Sequence, residues 1–421
     1  MLNLSRILSV LSFLLFSFFV HAQSPTKPKI GLTLSGGGAK GIAHIGILQA
    51  IDSAGLNIDA VTGTSMGSIM GALYAAGYSG NEMEKIAREM DWGTLFSGKA
   101  LYEHVNVDEK DEFDQYGVEI PFEQGKLKIG TGFLEGQEIW LKFQELLLPV
   151  YDVKDFSKLS IPFKCVATDV GTGKAVVLDQ GEIITAIRAS MAIPSVFTAI
   201  DYKETKLVDG GVVRNFPVRD VIDMGATYTI GVNVSQGLAK AENLTSAVDI
   251  LYQIAFYKDA DDFQEERKLC NIVIDPNLEG YSAGSFHSTA EILKIGKESG
   301  RKYYPAFKKL ADSLKALDPS YTFRKDRLPK HTRIIVDDYK VNGLKKTTLA
   351  SFSRRLNLEP GKAYNGEEIA EAIRKVYGSR NYNRIAYFWT PTTPGHAQLV
   401  FNVIENPRSY LKAGTALSQL Y

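Results

Sequence analysis

Residues 29–41 read KIGLTLSGGGAKG and run directly into IAHIGILQAID, residues 42–52. An apolar run, a glycine cluster and a helical apolar repeat, in that order, spell a strand, a tight turn and a helix start. Such a turn presents backbone N–H groups to negative charge at a helix N-terminus. The letters also satisfy GxGxxG after a strand, the dinucleotide pattern. The charge is therefore either a bound phosphate or one that forms during a reaction, and the rest of the chain decides between them.

Outward from this unit, strand-like runs alternate with helical ones: IDAVTGTS (58–65), FKCVATDV (163–170), GKAVVLD (173–179), TKLVDGGV (205–212) and TYTIGVNV (227–234). That alternation predicts an α/β layer fold with a mostly parallel sheet. Residues 282–317 read as helix. A basic stretch follows, with Arg324, Lys325, Arg327, Lys330 and Arg333 against the single acid Asp326. It reads first as a solvated domain boundary and second as a surface for anionic lipid headgroups. Beyond it the order becomes strand (332–344), helix (347–358), helix (365–379), strand (384–390), strand (397–406). The second of these helices opens on Asn365 with Glu368 three residues on, a capping-box pattern, and this part forms a small separate α+β domain.

Composition bounds the function. A chain of 421 residues with 45% hydrophobic content is globular, and equal counts of 48 basic and 48 acidic residues give no global charge for nucleic acid. The first 22 residues place Arg6 before an apolar run from Ile7 to Val20 and then the small Ala22, the pattern of a cleaved secretory signal. Cys165 and Cys270 sit alone in apolar runs, where core packing suits them better than a disulfide framework.

Two further loops carry candidate chemistry. GTSMG, residues 63–67, places Ser65 between the apolar run IDAV and a small-residue helical run. A serine on a sharp strand-to-helix turn is exposed at the top of a sheet, and Gly63 and Gly67 remove side chains that would collide there. A serine hydroxyl needs a base. His287, His331 and His396 lie in settings without a strand-end loop, and His44 sits at helical spacing from Lys40, where it is a satisfied helix residue. The stronger candidate is Asp209 in KLVDGGVVRNFPV, a strand-end carboxylate with Gly210 and Gly211 behind it. Asp169 and Asn215 read as turn residues with a possible part in shaping the site. The stripe Ile139, Trp140, Phe143, Leu146 and Leu147 reads as core before it reads as an acyl groove or lid.

Taken together, GGGAKG, GTSMG, DGG, ATDVGTGKAV (167–176) and AIRASMAIPSVFTAI (186–200) resemble the patatin-like phospholipase family over residues 29–234. The resemblance implies a three-layer α/β fold with a mostly parallel sheet. It also implies lipid acyl hydrolysis by a Ser-Asp pair without histidine, with Ser65 as nucleophile and Asp209 as base. The family's oxyanion loop falls on Gly36, Gly37 and Gly38, with Lys40 at its basic position and Gly41 closing the motif. This choice has a physical side: acyl transfer builds charge on a carbonyl oxygen, for which amides at a helix N-terminus are ready donors. A nucleotide would leave GTSMG and DGG without a role.

The terminal domain resembles a POTRA domain in element order and in GKAYNGEEIAEAIRKVYGS (361–379), as in proteins that carry patatin, POTRA and outer-membrane barrel parts in one chain. The organisation expected is a signal peptide over 1–22, a patatin-like hydrolase domain over 28–320, a basic linker over 321–331 and a POTRA-like domain over 332–408. Residues 409–421 would begin a further strand or a barrel. The expected function is an exported serine phospholipase or esterase of the periplasm or outer membrane. It would associate with membrane, act on acyl-ester lipid, and need no cofactor, metal, nucleotide or nucleic acid. The alternative is a non-catalytic outer-membrane assembly or binding module whose terminal domain captures partner strands along its sheet edge.

Overall fold

The computed structural model describes residues 27–96, 102–105, 118–123, 126–127, 132–235, 241, 250, 253–254, 257–329, 331–407 and 409–413. The expected leader, residues 1–22, lies outside the described residues. The chain opens with β1 (Ile30–Leu34), α1 (His44–Ser53), β2 (Ala60–Thr64), α2 (Met66–Ala76) and α3 (Gly80–Glu89). Three short strands follow, β3 (Val118–Glu123), β4 (Lys126–Leu127) and β5 (Gly132–Leu134), and then α4 (Gln137–Leu146). Next come β6 (Phe163–Asp169), β7 (Ala175–Leu178), α5 (Ile183–Ser190), β8 (Ser195–Phe197), β9 (Ile200–Tyr202) and β10 (Thr205–Asp209). This part closes with α6 (Val218–Asp223), β11 (Tyr228–Val232), α7 (Tyr257–Lys268), β12 (Ile272–Ile274) and α8 (Thr289–Leu317).

Strands β12, β11, β1, β2 and β6 run parallel in that order, and β7, β10 and β9 join antiparallel. The fold is α/β with a mostly parallel sheet. Alternation along β2 shows the layers: Val61 enters the main core, while its neighbour Ala60 packs with Val221 and Ala226 under α6 on the opposite face. Helix α8 packs along α1 and continues through Pro305.

One strand brings distant sequence together. On β6, Val166 pairs with Thr64 of β2, and the next residue, Ala167, pairs with Asp209 of β10. Strand β7 occupies the other edge of β6 over Cys165–Thr168, so β2 and β10 share one edge and meet end to end. The residue after β2 is Ser65. Pairing register alone therefore sets Ser65 beside Asp209.

The terminal module holds β13 (Ile334–Asn342), α9 (Leu349–Leu356), β14 (Ala363–Tyr364), α10 (Gly366–Tyr377), β15 (Tyr382–Pro391) and β16 (His396–Glu405). Apart from the two-residue β14, this is the expected order, and both capping-box bonds between Asn365 and Glu368 form. The sheet order is β14-β13-β16-β15 over its own core, which includes Phe352, Ile373, Leu399 and Phe401. A last strand, β17 (Ser409–Ala413), pairs antiparallel with β3.

The outer edge of β15 faces α4 of the hydrolase part. The Ile385 carbonyl accepts from Gln137 Nε2 at 3.0 Å, the Tyr387 carbonyl from Gln144 Nε2, and the Trp389 carbonyl from Lys154 Nζ at 3.3 Å. Ile385 N–H donates to Gln137 Oε1 at 2.8 Å. Side chains thus stand where a partner strand would pair, so this edge is closed to strand addition. Arg374 adds two N–H bonds to Glu138 Oε2, at 3.1 and 3.0 Å. The Glu138 side chain is only 9% exposed, so removing its partner leaves a desolvated charge. Arg374→Ala should lower stability by about 2 kcal/mol in urea unfolding, the discounted cost for a partly buried pair.

The basic stretch expected as a solvated linker is exposed at Arg324, Lys325 and Arg333 and anchored to the hydrolase part at Tyr321 and Arg327. Tyr321 accepts the Asn57 N–H at 2.7 Å, and Arg327, its side chain 8% exposed, lies 4.3 Å over the Tyr74 ring and 3.6 Å from Asp52. Lys325 and Asp326 remain exposed. A guanidinium with an aromatic face and a carboxylate beside it is held more favourably against the protein than in water.

Candidate active site

Ser65 is the residue between β2 and α2, and its backbone sits at φ 53°, ψ −125°, a conformation that strains any residue with a side chain. The turn is tight enough that a Cβ on Gly63 would lie 2.3 Å from the Gly67 carbonyl oxygen, and one on Gly67 2.2 Å from that of Leu34. The strain is locked by three bonds. Ser65 N–H donates to Ser190 Oγ at 3.0 Å, Ser190 Oγ donates to the Val166 carbonyl at 2.6 Å, and Ser68 Oγ donates to the Ser65 carbonyl at 2.7 Å.

The Ser65 hydroxyl donates to Asp209 Oδ2 at 2.6 Å. Asp209 is fully buried; its Oδ1 accepts the Gly211 N–H at 2.8 Å, and its carbonyl accepts from Thr168 Oγ1 at 2.9 Å. Burial pushes the Asp209 carboxyl up to about 7, against the bonds from Ser65 and Gly211 that favour the ionised form. A group so placed holds and releases a proton near neutral pH. Gly210 lies beneath, against the Val166 carbonyl.

The glycine loop divides its work differently from the sequence expectation. Gly36 N–H is engaged by Asn215, with Oδ1 at 3.1 Å and the carbonyl at 3.3 Å, which removes it as a free donor. Among the described residues, the N–H groups of Gly37 and Gly38 have no protein acceptor. Two donors of the loop, rather than three, are open to an oxygen, and the loop meets the serine at Gly36, where a Cβ would lie 2.8 Å from Ser65 Cβ. Asn215, read from sequence as a turn residue, thus shapes the loop by anchoring its first glycine. Asp169, in contrast, is a turn residue: its Oδ1 accepts from Gly171 N–H at 2.8 Å and Thr205 Oγ1 at 2.5 Å.

Lys40 Nζ donates to the Ser235 carbonyl at 2.9 Å, and burial draws its ammonium down to about 8. Gly41 abuts Met66. His44 is fully buried, bonds the Ser35 carbonyl through Nε2 at 2.9 Å, and is held neutral by burial, down to about 4. It is a helix residue of the loop's foundation. Cys165 is buried and Cys270 partly so, both as free thiols.

Residues 32–222 match the patatin-like phospholipase family. Among curated relatives, the chain is 25% identical over 304 residues to lysophospholipase NTE1 of Meyerozyma guilliermondii, covering 66% of this chain and 19% of that protein. It is 28% identical over 216 residues to an uncharacterized NTE family protein of Mycobacterium tuberculosis, covering 51% and 52%. The chain thus spans between a fifth and about half the length of these relatives. Among solved structures, VipD from Legionella pneumophila is similar at 15% identity and a TM-score of 0.39, with 68% of each chain covered.

Proposed function

We propose that this chain is an exported serine lipid acyl hydrolase acting through Ser65 and Asp209. The observation that carries the reading is the 2.6 Å bond from the strained Ser65 hydroxyl to a carboxylate poised near neutrality. Ser65 Oγ attacks the ester carbonyl carbon while its proton passes to Asp209. The carbonyl oxygen becomes an oxyanion held by the N–H groups of Gly37 and Gly38 at the start of the loop helix. Collapse breaks the C–O bond to the alcohol, which leaves with the proton from Asp209. Water then repeats the sequence on the acyl-Ser65 ester, releasing a fatty acid and restoring both groups.

The family match over residues 32–222 and the naming of one relative as a lysophospholipase support a phospholipid or lysophospholipid ester as substrate. Export rests on the leader over residues 1–22, and a periplasmic or outer-membrane site on the POTRA-like element order of the terminal module. Side chains close the β15 edge of the terminal sheet to strand capture, and the opposite edge of β13 carries only the two-residue β14. The test is labelling by a fluorophosphonate, which reacts with an activated serine. Wild-type protein should be modified at Ser65, located by peptide mass, and Ser65→Ala should take no label. Absence of labelling in folded wild-type protein, or labelling elsewhere only, removes the reading.

A further inference from the structure

An apolar cavity lies directly behind the nucleophile. Five of the chain's seven methionines line it: Met66, Met70, Met83, Met90 and Met191. Met66 follows Ser65, and Met191 follows Ser190, whose hydroxyl holds the Ser65 N–H. Trp92 and Phe96 roof it, Trp92 stacked on Phe286 with ring centroids at 4.9 Å and Phe96 tilted against the same ring at 4.5 Å. Phe286 lies just beyond Ala283, whose carbonyl fixes the Ala39 N–H of the glycine loop at 2.8 Å. The cavity volume is about 30 Å³, too small for an alkyl chain. Its walls are nevertheless the side chains best able to repack, since methionine has three free torsions and no branching.

Helix α4 forms one wall with Ile139, Phe143 and Leu146. Its opposite side carries Gln137, Glu138 and Gln144, the residues that bind the β15 edge and Arg374. The same helix is tied to the serine's support: the fully buried Arg188 of α5 donates to the Glu135 carbonyl at 3.2 Å and lies 5.8 Å from the Trp140 ring. Two residues further along α5 is Ser190. One helix therefore has the cavity on one face and the terminal module on the other, with a link to the nucleophile turn.

We propose that α4 is the movable wall of the cavity on the acyl side of Ser65, and that the terminal module, through its bonds to the other face of α4, sets how far that wall opens. The inference rests on the reading of Ser65 as nucleophile toward an acyl ester, and it adds the element that admits the acyl chain and the module that regulates it. The closed cavity means that a long chain enters only as α4 and the roof give way. The Gln137 and Gln144 bonds to β15 oppose that movement.

The experiment compares kcat/KM for p-nitrophenyl dodecanoate and acetate, as a ratio, in the full chain. Met70→Phe fills the void and should lower the ratio more than tenfold. Met83→Ala enlarges it and should raise the ratio, a second reading should the first variant fold poorly. Gln144→Ala releases one bond from α4 to the module and should raise the ratio at least threefold. A ratio unchanged in the cavity variants overturns the subsite, and one unchanged or lowered in Gln144→Ala overturns the coupling. If wild-type protein hydrolyses neither ester, the catalytic reading fails by itself. Binding of cis-parinaric acid, a fluorescent straight-chain fatty acid, then decides the subsite: loss in Met70→Phe supports it, and equal binding in both proteins overturns it.

Discussion

Asp209→Asn is expected to lower kcat on the order of 10⁴-fold while raising the melting temperature at pH 8. The loss follows from removing the carboxylate that accepts the Ser65 hydroxyl, and falls at the upper end of what a general base contributes. The gain follows from burial. The carboxyl is raised in the folded state to about 7, while the unfolded chain ionises near the ordinary value of about 3.9. Sign matters here: with the folded value above the unfolded one, the favourable contribution is complete below about pH 4 and is lost as pH rises through about 7. Asparagine carries no charge to desolvate, can accept from Gly211 N–H through its oxygen and can donate its amide to the Ser65 oxygen. The gain in melting temperature, roughly 2–4 °C per kcal/mol for a domain of this size, should therefore shrink between pH 8 and pH 5. In wild-type protein, kcat/KM should rise with pH and level off above about 7. Activity within tenfold of wild type in Asp209→Asn, or a pH profile flat from 5 to 8, would remove the carboxylate from the proposed role.

Gly38→Ala is expected to cost about 10²–10³-fold in kcat, the range for losing an oxyanion donor. Gly38 has φ +57°, and a Cβ there would lie 2.3 Å from the Ala283 carbonyl oxygen, a backbone atom that cannot swing away. The loop must shift, and with it the two free N–H groups. Gly280→Ala separates collision from strain: its φ is +89° but nothing lies within 4 Å of the added carbon. That variant should lower the melting temperature with kcat preserved. Equal kcat losses in the two variants would mean that general loosening, not displacement of the donors, explains Gly38→Ala.

What could be read from the sequence was what repeats or punctuates. Alternating runs give the sheet, and the loops around Ser65 and Asp209 announce themselves through glycines that a sharp turn requires. Asn215 did not, because a single amide reaching back 179 residues to Gly36 leaves no local pattern. The error at Gly36 follows from it, since whether an N–H is free depends on that distant partner. Helix α4 shows a similar limit. Its apolar stripe marked it as core, but nothing in hydropathy says that Gln137, Glu138 and Gln144 are also buried, because their partners are the edge of β15 and Arg374. Arg327 was hidden for the same reason, a cation whose ring and carboxylate lie in α2 and α1.

The adjacency of Val166 and Ala167 on β6 has a consequence for how such a chain can change. Ser65 and Asp209 are 144 residues apart along the chain, yet each is fixed by its own rung of a single ladder. Segments inserted in the loops between the two, away from β6, its partners and the helices that carry Ser68 and Ser190, leave their separation untouched. One residue added within β6 between those rungs would part them while sparing the rest of the fold, so the chemistry is tolerant of long additions and intolerant of the smallest one.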